Sequence, residues 1–326
     1  MSSPTSSESG RRGGVGKYAA ALPPARTVAV KAADGTRLHT QVFGPADGYP
    51  VVLAHGITCA IPVWANQIAD LSADHRVIAY DHRGHGRSGV PRGSGYSLTH
   101  LASDLDSVLD ATLKPGERAV IAGHSMGGIA ISAWSDRYRH RVAERADAVA
   151  LINTTTGDLL EHVDLVQVPR TLRFARIQAA RRLLLMFGSV PIIGPATLAV
   201  RQFVEMLAVG RDADPTVTEL VCDLFANTSA AGRGHWVRTL VDALGPDHIS
   251  LDGLTVPTLV IGSTRDRLLP IVASHRIAAT APNLWKFVEL PGGHCSILEH
   301  AERVNRELRG LIESVAPSAV GRQVSS

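Results

Sequence analysis

Cysteine is scarce in this chain: Cys59, Cys222 and Cys295 are an odd set with no paired spacing. That argues against a disulfide framework and suits a reducing, cytoplasmic setting. Charge of one sign is lacking too. With 33 basic and 30 acidic residues spread along the sequence, no clustered basic stripe exists to suggest a nucleic-acid partner. Nor is there an unbroken apolar run. The longest candidate, Leu183 to Val200, carries Gly188, Pro191, Gly194 and Pro195, which fit two short helices and a turn better than a membrane span. The pair Arg11-Arg12 is followed by Gly13-Gly14-Val15-Gly16-Lys17 where an export signal needs apolar residues, so export is not expected. Internal repeats are missing, and bias is confined to the ends, which read as disordered tails at Met1–Gly16 and Pro317–Ser326.

What is present suits a large core: 326 residues, 45% of them hydrophobic. Short apolar runs alternate with amphipathic stretches, the pattern of parallel strands joined by crossover helices. Thr27–Lys31 and Leu38–Phe43 flank Asp34-Gly35 as an opening hairpin. Strands follow at Val51–Ala54, Val77–Tyr80, Ala119–Ala122 and Ala148–Ile152, with helices at Pro62–Leu71, at Thr99–Thr112 and from Met126. From about Thr154 to Ser250 the sequence reads as helical without a strand. The rhythm resumes with Pro257–Ile261, a helix near Ile271–Thr280, the strand Trp285–Leu290 and a closing helix Ala301–Val315. This divides the chain into a tail (1–22), an α/β core (23–153 and 251–315), an inserted helical cap (154–250) and a second tail (316–326).

The chemistry starts at Gly123-His124-Ser125-Met126-Gly127, between a strand and a helix. A nucleophilic serine on so sharp a turn needs small neighbours, and the helix N-terminus behind it favours negative charge. A serine hydroxyl also needs a base. His294 suits that role, in the glycine-rich loop Leu290-Pro291-Gly292-Gly293-His294 after the last strand. His300 is a weaker candidate and reads as a surface residue. Asp266, on the loop after Pro257–Ile261, would orient the imidazole, with a residue after Ala148–Ile152 as the fallback. The oxyanion donors would be the amides of Met126 and of Ile57, which follows Gly56; the Thr58 hydroxyl is a lesser candidate. His55 reads as a buried turn residue and Cys295 as a packed thiol. His82 and His85 lack further metal ligands nearby, so neither metal nor organic cofactor is expected.

These pieces together resemble the α/β-hydrolase superfamily over roughly Arg26 to Val315. The order Ser125, Asp266, His294 and the run Asp81-His82-Arg83-Gly84-His85-Gly86-Arg87-Ser88 are similar to that family's pattern. His55-Gly56 with Trp64, and Ser125-Met126-Gly127-Gly128, look like its esterase, haloperoxidase and C–C hydrolase branches. The departures matter: position 125 is serine where epoxide hydrolases and dehalogenases use aspartate. His124 stands where many C–C hydrolases have asparagine, and Ile57-Thr58-Cys59 does not match monoacylglycerol lipases. The resemblance implies a mostly parallel sheet with helices on both faces, a helical lid, and a serine hydrolase of carboxylic esters. C–C hydrolysis, perhydrolase or haloperoxidase chemistry and a triad-retaining receptor stay open. In the insertion, Arg173, Arg176, Arg181 and Arg182 accompany Leu183–Phe187, Ile192, Ile193 and Leu198. Peripheral contact with an anionic lipid surface is conceivable there, but packing on the core is the favoured account. Either way the acyl pocket is expected to be apolar, suiting medium or long chains.

Overall fold

Apolar runs with no polar alternation, such as Val51–Ala54 and Ala119–Ala122, demand that both faces of a strand be covered. A computed structural model describes residues 22–91, 95–163, 172–189 and 196–316 and builds one eight-stranded sheet from those runs. Its strands are β1 (Ala25–Lys31), β2 (Arg37–Phe43), β3 (Tyr49–Ala54), β4 (His75–Tyr80), β5 (Ala119–His124), β6 (Ala146–Ile152), β7 (Thr258–Ser263) and β8 (Leu284–Leu290). They stand in the order β1-β2-β4-β3-β5-β6-β7-β8. The β1–β2 and β2–β4 pairs are antiparallel and the others parallel. The expected hairpin forms, with Gly35 at φ 82° in its turn.

Alternate residues of each inner strand feed opposite layers. Val51 and Leu53 join one apolar cluster with Ile68 of α1 (Ala65–Leu71) and with Val304 and Leu308 of the closing helix. Val52 and Ala54 join another with Leu105 and Val108 of α2 (Leu98–Thr112) and Trp134 of α3 (Met126–Arg137). Ser97 caps α2 by accepting from the His100 amide at 3.2 Å. A short helix the sequence reading had not marked, α4 (Arg139–Arg145), leads into β6, which starts two residues earlier than expected.

Between β6 and β7 the described residues form α5 (Leu159–His162), α6 (Arg173–Ser189), α7 (Ala196–Ala208), α8 (Pro215–Asn227) and α9 (Ala230–Ala243). The fold ends with α10 (Ile271–Thr280), α11 (Ser296–Glu299) and α12 (Ala301–Val315). Leu22 and Ala316, at the inner ends of the two expected tails, pack on the core. The rest of both tails, and Ile192 and Ile193, lie outside the described residues. No described helix is long and apolar enough to cross a membrane.

Candidate active site

The carboxyl ends of β3, β5, β6, β7 and β8, neighbours in the sheet, bring the chemistry-bearing residues to one edge. Ser125 sits directly after β5 at φ 54° and ψ −119°, a conformation that strains any residue with a Cβ. The elbow survives because everything around it is tied down. The Ser125 amide donates to the Ile152 carbonyl at 2.9 Å, and the Ser125 carbonyl accepts from Thr154 Oγ1 at 2.7 Å. A Cβ on Gly127 would drive into the Ala54 carbonyl, so only glycine lets α3 lie this close to β3.

Beyond their last paired residues, β7 and β8 stay linked. The Thr264 amide donates to the Leu290 carbonyl at 2.9 Å and that of Arg265 to Gly292 at 3.1 Å. These bonds carry Asp266 to His294, whose Nδ1 lies 2.8 Å from Asp266 Oδ2; both side chains are buried. A carboxylate only accepts, so Nδ1 holds the proton and Nε2 is left able to accept one. The other carboxylate oxygen accepts from the amides of Leu268 and Leu269, at 2.9 and 2.8 Å.

Ser125 Oγ makes no hydrogen bond to His294 among the described residues. The neighbouring His124 ring supplies the link: it tilts against the His294 ring at 4.9 Å, and its Nε2 lies 2.9 Å from the His294 carbonyl oxygen. On the other side, a Cβ on Gly56 would come within 3.1 Å of Ser125 Cβ, so the loop after β3 lies against the serine. Among the described residues the amides of Ile57 and Met126 donate to no protein acceptor.

The chain matches the model of the alpha/beta hydrolase fold family over residues 49–301. The chain is an α/β-hydrolase. It is 30% identical over 288 residues to the putative carbamate hydrolase RutD of Variovorax paradoxus, covering 87% of this chain and 98% of that one. It is 27% identical over 322 residues to the probable oxidoreductase EphD of Mycobacterium tuberculosis, covering 91% of this chain but only 50% of that protein. The enol-lactonase of Burkholderia xenovorans superposes with a TM-score of 0.67 at 26% identity, over 89% of this chain and 100% of its own.

Several residues that position this hydrolase's candidate site were not picked out from sequence. Asn153 follows β6 at φ 44°, the place kept for a fallback carboxylate, and is an amide that serves the observed one. Its Nδ2 donates to Asp266 Oδ2 at 3.1 Å and to Ser263 Oγ at 2.9 Å, while its Oδ1 accepts from Ser296. Glu299 Oε2 accepts from the Gly293 amide at 2.8 Å and the Gly210 amide at 3.2 Å, joining the His294 loop to the end of the α7 segment. Only their place just after strand or loop ends could have marked them.

His300, just before α12, is half-buried with its ring against Gly292, so it is only partly solvated. The Thr58 amide donates to His85 Nε2 at 3.0 Å, and no hydrogen bond of its hydroxyl is present among the described residues. His55 is fully buried, with Nδ1 at 2.7 Å from the Gly56 carbonyl oxygen and Nε2 accepting from the His82 amide at 3.0 Å. With His85 Nε2 also engaged, most nitrogens of this histidine group are spent on the fold, and no metal-binding group occurs among the described residues. Burial drives these rings toward the neutral form, with His82 pulled down to about 3 and His85 to about 4. Burial also pushes the Asp81 carboxyl among them up to about 6. Cys295 and Cys59 are buried free thiols, the latter raised to about 12 by burial, which makes it a packing group.

Two surroundings meet at this site. Beside the nucleophile, Met126 and Ile57 belong to an apolar cluster with Leu159, Leu240, Trp236 and Leu269. Asp266 also lines a cleft of about 1570 Å³ between its loop, α6 and α7, whose mixed lining includes five arginines.

Proposed function

We propose that this α/β-hydrolase cleaves carboxylic esters through an acyl-enzyme on Ser125. The observation that carries the reading is the 2.8 Å contact of His294 Nδ1 with Asp266 Oδ2, next to a serine held at φ 54°. In the proposed cycle His294 Nε2 closes on Ser125 Oγ to about 2.6–3.2 Å and takes its proton as Oγ attacks the carbonyl carbon. The oxyanion rests on the amides of Ile57 and Met126, which no acceptor among the described residues engages. His294 then protonates the departing alcohol, and water repeats the sequence on the acyl group. The apolar cluster beside Met126 supports a medium or long acyl chain. Residues 154–250 would serve as the cap over the core of 23–153 and 251–315. We assign no lipid-facing role to α6, where charged and apolar residues are mixed around the helix rather than set on opposite faces.

The likeness to RutD favours a second reading, a carbamate carbonyl in place of the ester. The test is covalent labelling by a fluorophosphonate probe, together with turnover of p-nitrophenyl esters of increasing chain length, in wild type and Ser125→Ala. Stoichiometric labelling and turnover that vanish in Ser125→Ala are expected. Labelling that persists in the variant would remove Ser125 from the role. Serine-dependent labelling with no ester turnover, but release of ammonia from a carbamate, would select the second reading.

A further inference from the structure

Five arginines line the cleft beside Asp266: Arg176, Arg201, Arg211, Arg265 and Arg267. Their charges are unevenly matched. Arg201 pairs with Glu205 at 2.7 Å and Arg265 with Asp212 at 2.6 Å. Among the described residues Arg176 donates only to the backbone carbonyl of Glu161, at 2.7 Å, the Glu161 carboxylate being taken by Arg173. Arg211 is exposed and has no hydrogen bond or ion pair among the described residues. Asp266, which also lines the cleft, is committed to His294 and to two backbone amides. Among the described residues, two guanidinium groups therefore border a large cleft without a carboxylate to meet them.

We propose that this cleft binds the carboxylate of an acidic small molecule, held by Arg176 and Arg211. A guanidinium offers a planar fork of donors that matches a carboxylate, and such charge-assisted bonds are the stronger kind. The position ties the ligand to the reaction. The far end of α7 is fastened to the His294 loop, where the Cys295 amide donates to the Ala208 carbonyl at 3.1 Å and Glu299 bridges Gly210 and Gly293. An acid bound there lies against elements fixed relative to His294. The inference deepens the ester reading and rests on it in one respect: the acid is the substrate's own distal group, carried on an apolar acyl chain.

The experiment compares two esters with the same leaving group and chain length, mono-p-nitrophenyl adipate and p-nitrophenyl hexanoate. It also measures adipate binding to Ser125→Ala by calorimetry. Wild type is expected to favour the acidic ester by about ten-fold or more in kcat/KM. That preference should shrink as salt is added, because the cleft is open to solvent. Arg211→Glu, a change at an exposed position, is expected to erase or invert the preference and to weaken adipate binding by a similar factor. Arg182→Ala, an exposed change on the same α6 outside the cleft, should keep both. Arginine-dependent adipate binding without any ester preference would identify a separate acidic ligand and keep the cleft as its site. No adipate binding and no preference, or both indifferent to Arg211→Glu, overturns the proposal. If p-nitrophenyl hexanoate is not hydrolysed in a Ser125-dependent way, the ester reading fails by itself, and the adipate measurement still decides the cleft.

Discussion

Helices α8 and α9 bury Leu220, Leu224 and Trp236 among core residues, whereas α6 and α7 leave Phe174 at 77%, Leu198 at 63% and Met186 at 50% exposure. Both pairs come from one stretch of chain, so an insertion in sequence is not one unit in space. α8 shares a cluster with the inner strands and α12. α9 packs against α3, and Trp236 Nε1 donates to the Arg83 carbonyl at 2.9 Å. These two helices belong energetically to the sheet domain. α6 packs on α9 and buries Ala180, and α7 puts Val204 into the core cluster that holds α8. Both also carry the exposed faces named above and border the arginine cleft, and on those faces sequence can change with least cost to stability. The division suggests that chemistry lives with the anchored half and selectivity with the other.

The sharpest way to break that division is to damage the anchored half without touching packing. Asp266→Asn keeps the shape of the side chain but presents an amide to His294 Nδ1, which favours the wrong tautomer. By analogy with the serine-protease triad, kcat should fall on the order of 10⁴-fold, with KM little changed. A near-normal kcat in steady-state assays would mean that Asp266 does not orient the base. A comparable fall from exposed changes on α6 would erase the distinction between the two halves.

Acid comes next. Burial holds His82 and His124 at about 3 and His85 at about 4, and keeps His55 well below its ordinary value. An unfolded histidine titrates near 6.5. Below that pH the unfolded chain gains protons that these four rings refuse in the fold, so stability is lost as pH falls. Asp81 works the other way: raised to about 6 by burial, it is protonated in the fold where the unfolded carboxyl is charged. The rings refuse more protons than Asp81 holds, so stability should fall steeply between about pH 6 and 4. A typical total of roughly 5–15 kcal/mol would be spent within a few units. Urea unfolding followed at pH 7, 6 and 5 measures the slope. A flat profile would show that these rings reach protons without unfolding.

The anchored half was also the legible half. Continuous apolar runs such as Ala119–Ala122 allow few outcomes other than an inner strand, and a serine between two glycines at the end of one allows few outcomes other than the elbow. Asp266 and His294 could be picked because chain order and loop position narrow the choice. Asn153 could not, since its value lies in a 3.1 Å bond to a residue 113 positions away. The split of the insertion was equally hidden. α7, α8 and α9 all read as helices with apolar residues, and only tertiary contacts decide which apolar side is covered. The arginine cleft was hidden for the same reason, because the residues that line it come from α6, α7 and the loops after α7 and β7.

The smallest effect is the most direct test of the comparison. Leu220 in α8 is fully buried in the main apolar cluster, so Leu220→Ala removes apolar contacts and leaves a cavity, at about 2–5 kcal/mol. Phe174 in α6 is 77% exposed, and Phe and Ser have similar helix propensity, so Phe174→Ser should change stability by no more than about 0.5 kcal/mol. Denaturant unfolding of both variants reads the contrast in one experiment. Equal losses would mean that α6 is held to the core as firmly as α8, and that Phe174 is covered in solution. A neutral Phe174→Ser beside a damaged Leu220→Ala would show that the outer face of α6 lies outside the packed core that α8 belongs to.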